Sequence, residues 1–225
     1  MNVLAFDTSG EILSIYLETA GGTRSTVLDA GLRHAERLMP EIAEMLEKAG
    51  IGPGNLDLIV ISRGPGSFTG LRIGMAAAKG LSAGTGVPLV SVPTLDVLAY
   101  GRGTASVPVM AVIDARKGRF YCAVYRSGER LSDYLDISAE ETALLPLRAA
   151  GGASGELLLT GPGVDALLSQ ISKPDLWHID PLRRSGCGFS LASCGKRFYN
   201  SAGADSDNTG PLYLRKSEAE LSRGE

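Results

Sequence analysis

The segment Arg63-Gly64-Pro65-Gly66-Ser67-Phe68-Thr69-Gly70 carries the densest chemical information in this chain of 225 residues. Three glycines and a proline stand between an apolar run and a helical pattern. Glycine reaches backbone angles closed to other residues, so such a loop can aim N–H groups at an anion beside a helix N-terminus, with Ser67 and Thr69 able to cap the helix. The plain alternative is a tight strand-to-helix turn. It is not a Walker loop, because no Gly-Lys-Ser/Thr follows at the required spacing and Lys79 lies further along the helix. Asp7-Thr8-Ser9 and Asp114 are the next candidates. An aspartate that closes a short apolar strand sits where nucleotide-binding α/β folds orient a metal-bound water beside a phosphate, although aspartates also cap β-turns through their own backbone. The candidate phosphate loop therefore comprises Asp7, Thr8, Ser9, Gly64, Gly66, Ser67, Thr69 and Asp114, with Gly161 and Gly163 from a second Gly-Pro-Gly turn.

Other chemistries lack their residues. His34 and His178 are the two histidines, far apart, and neither begins a His-x-x-x-His pair. Cys122, Cys187 and Cys194 form no closely spaced ligand pair and read as reduced thiols. No Gly-x-Ser-x-Gly elbow exists, since Gly66-Ser67-Phe68 lacks the second glycine. The expectation is no catalytic residue and no metal site. His34, among Arg33, Glu36 and Arg37, reads as a surface or interface residue, and Phe68 as a packing anchor or a base platform.

The elements that hold these residues follow from periodicity. Val3 to Phe6, Ile12 to Leu17 and Thr23 to Leu28 read as three successive strands joined by polar and Gly-Gly turns. Leu38, Ile42, Met45, Leu46 and Ala49 recur at helical spacing, and Gly50 stops the helix; Pro40 either sits in its first turn or kinks a longer one. Leu56 to Ile61 is an apolar, β-branched run of the kind covered on both faces. A helix from about Leu71 to Ala83 places Gly70, Gly74 and Ala78 at four-residue intervals, a flat strip open to close approach. Val87 to Val92 is a further strand, and Pro93-Thr94 opens a short helix. The second half echoes the first. Val109 to Ile113 ends on Asp114, a turn and the strand Arg119 to Tyr125 follow, and Leu157 to Thr160 leads into Gly161-Pro162-Gly163. This order points to a duplicated lobe.

Composition bounds the function. A 44% hydrophobic content supplies a core for two small lobes. No apolar run reaches the ~18 residues of a membrane span and no basic region precedes an apolar stretch at the N-terminus, so a cytoplasmic protein without membrane attachment is expected. A net charge of −3 and a pI near 5.5 argue against a chain that grips nucleic acid by itself.

The run Arg63-Gly-Pro-Gly-Ser-Phe-Thr-Gly-Leu-Arg-Ile-Gly74 resembles the signature of the TsaB family, also called YeaZ. Leu4-Ala-Phe-Asp-Thr8, Arg33-His34 with Glu36-Arg37-Leu38 and Pro40, Ile113-Asp-Ala-Arg116, and Pro211-Leu-Tyr-Leu-Arg215 are similar to the same family, while roughly Ser127 to Asp207 matches poorly. The resemblance implies an α/β, actin-like and Hsp70-like ATPase (ASKHA) fold of two related lobes, 1–105 and 106–225, with mixed sheets flanked by helices. It implies a non-catalytic partner of the catalytic subunit TsaD, which carries the metal-binding histidines. With the ATPase TsaE, the pair transfers threonylcarbamoyl to the N6 amine of the adenosine beside the tRNA anticodon. The implied interface lies on Leu38, Ile42, Met45, Leu46, Gly70, Gly74 and Ala78, and the same patch would serve a homodimer of the free protein. Contact with tRNA is expected through the complex alone. No cofactor is required, and weak ATP or ADP with magnesium would sit at the partner interface. The competing readings are a stand-alone, ATP-dependent phosphotransferase using Asp7 and Asp114, a peptidase, and a free-standing tRNA-binding module.

Overall fold

The computed structural model describes residues 1–31, 33–102, 107–149, 155–183 and 185–215. The chain forms two compact units: Met1–Val97 with Gly186–Leu212, and Leu98–Ser185 with Tyr213–Glu225. This differs from a single cut after residue 105. The reason is a helix late in the chain, Gly188–Ala202, which packs on strands of the first unit.

In the first unit the strands β1 (Val3–Asp7), β2 (Ile12–Thr19), β3 (Gly22–Asp29), β4 (Leu58–Ser62) and β5 (Leu89–Val92) form a sheet in the order β3-β2-β1-β4-β5. β1 is antiparallel to β2 and parallel to β4; both β1 and β4 are buried along their whole length and apolar up to the closing Asp7 and Ser62, as suits strands covered on both faces. Strand alternation separates two sets of side chains. Leu4, Phe6, Leu13, Ile15, Leu17, Ile59 and Ile61 meet α1 (His34–Ala49) and α2 (Phe68–Thr85) in one core. The opposite face, with Ser14, Tyr16 and Val60, receives α6 (Gly188–Ala202). α1 ends on Gly50 at φ 69°, and Pro40 lies inside it on the exposed side. α2 is capped by Ser67, whose hydroxyl accepts from Gly70 N–H.

The second unit repeats this plan. β6 (Val109–Asp114) is antiparallel to β7 (Arg119–Arg126) and parallel to β10 (Leu157–Thr160), which is parallel to β11 (Trp177–Ile179). β8 (Glu129–Arg130) and β9 (Leu135–Ser138) also pair with β7. α3 (Thr94–Ala99) precedes this sheet in the chain. α4 (Ala139–Ala149) and α5 (Val164–Leu168) supply Ala139, Leu145, Val164 and Leu167 to a core with Met110, Val112, Phe120 and Leu159. The echo in the sequence is thus an echo of topology, an antiparallel strand on one side of β1 or β6 and parallel strands on the other. Among the described residues no helix is long and apolar enough to cross a membrane.

Candidate functional site

The structure brings Asp7-Thr8-Ser9 and the Gly64–Gly70 loop together, but against each other. Ser67 N–H donates to Ser9 O at 2.7 Å, and Thr8 Oγ1 donates to Gly70 O at 2.7 Å. A Cβ at Gly66 would collide with Ser9 O, one at Gly70 with Thr8 O, and one at Gly74 with Thr8 Oγ1. These glycines therefore serve close backbone approach within the chain. Gly64 takes φ 109° and exchanges hydrogen bonds with Thr94, while Leu212 N–H donates to Arg63 O.

The carboxylate of Asp7 is similarly engaged. Its Oδ1 accepts Ser9 N–H at 2.8 Å and its Oδ2 accepts the Cys187 thiol at 3.0 Å. Asp7 is 8% exposed. Cys187 is the residue before α6, so the carboxylate lies where a helix N-terminus favours negative charge. Burial pushes the Cys187 thiol well above its ordinary range, and the neighbouring Asp7 charge adds to that shift. Ser62 follows Ile61, which pairs with Phe6, and so lies beside Asp7; its Oγ is buried without a protein partner. In this arrangement the loop N–H of Ser67 is spent on Ser9, and each Asp7 oxygen accepts a hydrogen bond from within the protein.

In the second unit Asp114 Oδ1 accepts Arg116 N–H at 2.7 Å, and its Oδ2 lies 4.0 Å from the Arg116 guanidinium. Gly161 and Gly163 sit against the end of β6. Gly163 N–H donates to Val112 O at 3.0 Å, and a Cβ at Gly163 would meet the Ile113 and Asp114 backbone. Arg116 and Lys117 hold left-handed φ of 65° and 57°. Among the described residues no group of three or more His, Cys, Asp or Glu side chains is placed to hold a metal ion.

The expected interface residues require correction. Leu38, Ile42, Met45, Leu46 and Ala78 all lie in the core of the first unit, each at most 5% exposed. Gly70 and Gly74 face Thr8. The apolar stripe of α1 is as wide as one face, and that face covers the unit's own sheet. His34 is likewise buried, with Nε2 lacking a partner, so a surface reading of it fails. The half-buried Phe68 ring lies beneath the Arg72 guanidinium, 3.9 Å from the ring centroid.

Two features escaped the sequence. One is Cys187, at the entry of α6, a helix whose buried face is interrupted by Gly188 and Gly195. The other is a clasp in which Arg215 holds both oxygens of Asp136, at 2.8 and 2.9 Å, while Arg119 donates to the same carboxylate at 2.9 Å. Burial raises the Asp136 pKa, but the two guanidiniums outweigh it, and the carboxyl titrates below its ordinary range. Arg215 also donates to Ala115 O at 3.3 Å, within the Asp114–Arg116 turn of the same unit.

Comparison with known proteins places this geometry. Residues 27–185 match the family model of TsaD, tRNA N6-adenosine threonylcarbamoyltransferase. The tRNA threonylcarbamoyladenosine biosynthesis protein TsaB of Escherichia coli is 36% identical over 131 residues, 57% of this chain and 57% of that protein. TsaB of Bacillus subtilis is 34% identical over 129 residues, 56% of each. The chain spans about half the length of the curated relatives it matches. Among solved structures, YeaZ of Pseudomonas aeruginosa superimposes with a TM-score of 0.76 at 27% identity, over 95% of this chain and 99% of that one. A Bacteroides thetaiotaomicron protein with an actin-like ATPase fold superimposes with a TM-score of 0.50 at 13% identity over 86% of this chain and 96% of that one, which speaks for the fold alone. The interlocked loops are thus those of an actin-like fold with a TsaD-type domain, and the chain belongs to the TsaB (YeaZ) family.

Proposed function

We infer that this chain acts in the biosynthesis of tRNA threonylcarbamoyladenosine as a partner that contributes shape rather than reactive groups. The names of its relatives supply the process. One observation carries the role: the two loops that sequence marks for a phosphate close on each other, with Ser9, Thr8 and Asp7 hydrogen-bonded inside the protein. The reactive pocket then belongs to a TsaD-type catalytic subunit, with a TsaE-type ATPase completing the assembly and tRNA reached through the complex. No nucleotide is required on this chain, and weakly held ATP or ADP with magnesium belongs to the partner interface. Docking uses the side of α1 and α2 that faces away from the sheet, where Ala35, Met39, Ala43, Ala76 and Gly80 are exposed. The same side serves a homodimer of the free protein.

The test is reconstitution of threonylcarbamoyl transfer to tRNA with and without this chain. Turnover is expected to require it, to survive Asp114→Asn, and to fall at least tenfold with Met39→Glu at a subsaturating concentration. Equal turnover by the catalytic subunit alone overturns the reading.

A further inference from the structure

The outer edge of β3 is unlike a protected sheet edge. Natural proteins blunt such edges with charged side chains, lysine above all, and with proline, a bulge or a very short strand. β3 has charges at Arg24 and Asp29 but no lysine, proline or bulge: it pairs with β2 without interruption from Ile12↔Asp29 to Thr19↔Gly22, and its sequence is Gly-Thr-Arg-Ser-Thr-Val-Leu-Asp. Most of its residues are exposed, Val27 to 51%. Among the described residues it pairs with β2 alone.

Hydrogen-bond parity shows what this edge offers. Ala30 N–H donates to Glu11 O, and these residues continue the β2–β3 register by one step. In an antiparallel ladder, bonded pairs alternate, so the even-numbered residues of β3 bond to β2. Thr23, Ser25, Val27 and Asp29 point their N–H and C=O groups outward. The two flanks of the edge differ. On the α1 side lies a groove of about 210 Å³ lined by Arg24, Thr26, Glu41, Glu44 and Lys48. Glu41 is paired with Arg37 and Glu44 with Lys48, whereas the Arg24 side chain makes no ion pair or hydrogen bond among the described residues. On the other side Val27 is packed by Gly186, and the ring of Phe189, 63% exposed, stands edge-on to Tyr16 at 6.1 Å.

We propose that the β3 edge is a docking site for an extended segment of a partner protein, added as a sixth strand, with an acidic side chain over Arg24 and apolar side chains toward Val27 and Phe189. A second copy of this chain does not satisfy the same chemistry. Two β3 edges related by a twofold must pair outward-facing residues with each other, which are all odd-numbered. Arg24 then faces an even-numbered residue of the other copy, drawn from Gly22, Arg24, Thr26, Leu28 and Ala30, none of them acidic. Asp29, the acid of this strand, is odd-numbered and lies on the opposite flank. A heterologous strand is free to carry the acid where Arg24 requires it, with backbone bonds giving affinity and alternating side chains giving specificity.

The probe is a fluorescein-labelled peptide of alternating valine and threonine with one central glutamate, and its twin with lysine in place of the glutamate, titrated against the full chain by fluorescence anisotropy. The glutamate peptide is expected to saturate and to bind at least tenfold more tightly than the lysine peptide. Arg24→Glu should reverse that preference. Ser25→Pro, which removes one outward N–H, should weaken both peptides, with its fold checked by far-UV circular dichroism. Because Arg24→Glu leaves the backbone intact, it decides the matter even where Ser25→Pro fails to fold. Equal affinity for the two peptides, no saturation at millimolar peptide, or self-association of the chain that Ser25→Pro abolishes would each overturn the proposal. The titration contains no tRNA or catalytic subunit, so its outcome is independent of the role inferred above.

Discussion

Asp7 and Asp114 end equivalent strands and make the same turn, each accepting through Oδ1 the N–H two residues on, from Ser9 at 2.8 Å and from Arg116 at 2.7 Å. Each also adjoins glycines pressed against backbone, Gly66 and Gly70 in the first unit and Gly161 and Gly163 in the second. The second oxygens differ. Asp7 Oδ2 is closed off by the Cys187 thiol, whereas the Asp114 side chain keeps a third of its surface in solvent and has Arg116 at 4.0 Å. Strand, turn and glycine are therefore insufficient to specify a ligand site. What each aspartate can do is decided by the element laid over it, and over Asp7 that element is the entry of α6.

The largest effects should come from the glycines, because they test the feature that the two regions share. Gly70→Ala drives a methyl group into the Thr8 carbonyl and Gly163→Ala drives one into the Ile113–Asp114 backbone. Backbone cannot swing aside as a side chain can, and each substitution is expected to cost about 3 kcal/mol, the upper range for overpacking. Urea denaturation midpoints give the measurement. A cost below about 1 kcal/mol at either site would mean that the loops there separate easily, and the likeness between the units would fail at that point.

The aspartates test the difference. Asp7→Asn replaces a buried acceptor of the Cys187 thiol by an amide and should cost about 1–3 kcal/mol, the range for a buried polar group left without its partner. Asp114→Asn, at a partly exposed position, should fall within about 0.5 kcal/mol. Equal losses in the same denaturation assay would show that the second oxygens are equivalent after all.

Much of this contrast is legible in the sequence alone, and its limits have physical causes. The paired strand-aspartate-turn units were readable because each lies within a stretch of about 20 residues governed by local periodicity and turn chemistry. The small spacing of Gly70, Gly74 and Ala78 correctly signalled close approach, but not what approaches, since Thr8 is distant in sequence. The stripe Leu38, Ile42, Met45 and Leu46 was readable as amphipathic, yet periodicity gives the apolar face without saying whether it meets the chain's own sheet or a partner. Cys187 and Asp7 lie 180 positions apart, and Arg215 and Asp136 lie 79 apart. Neither pair has a local signal. α6 itself interrupts its apolar positions with Gly188 and Gly195, which lie on Tyr16 and Val60 and would look like helix breakers to any local rule.

Alkaline pH offers a smaller, graded contrast. Burial raises the thiols of Cys122, in the second unit, and Cys194, in the first, to about 12 from an ordinary value of 9.0. A thiol raised on folding stays protonated in the native state while the unfolded chain ionises. Stability is therefore complete below the unfolded pKa and falls as pH climbs through about 9 toward 12, by about 1–2 kcal/mol per thiol at pH 10. Cys194→Ala should flatten part of that slope relative to its own value at pH 7, and Cys122→Ala a similar part. A flat stability between pH 8 and 10 would show that water reaches these sulfurs in the native protein.

Gly80 gives the smallest effect and separates the two uses of glycine along α2. Unlike Gly70 and Gly74 it is exposed, and a Cβ there meets no atom within 4 Å. Gly80→Ala should therefore stabilise the isolated chain by about 0.5–1 kcal/mol, because alanine loses less backbone freedom than glycine on entering a helix. If the outer side of α1 and α2 is the docking side, the same methyl group stands between two helices and weakens binding of the catalytic subunit while raising the thermal midpoint of the free chain. Measured side by side, calorimetry and titration with that subunit decide whether this glycine serves an interface: a higher midpoint with unchanged affinity would place docking elsewhere on the surface.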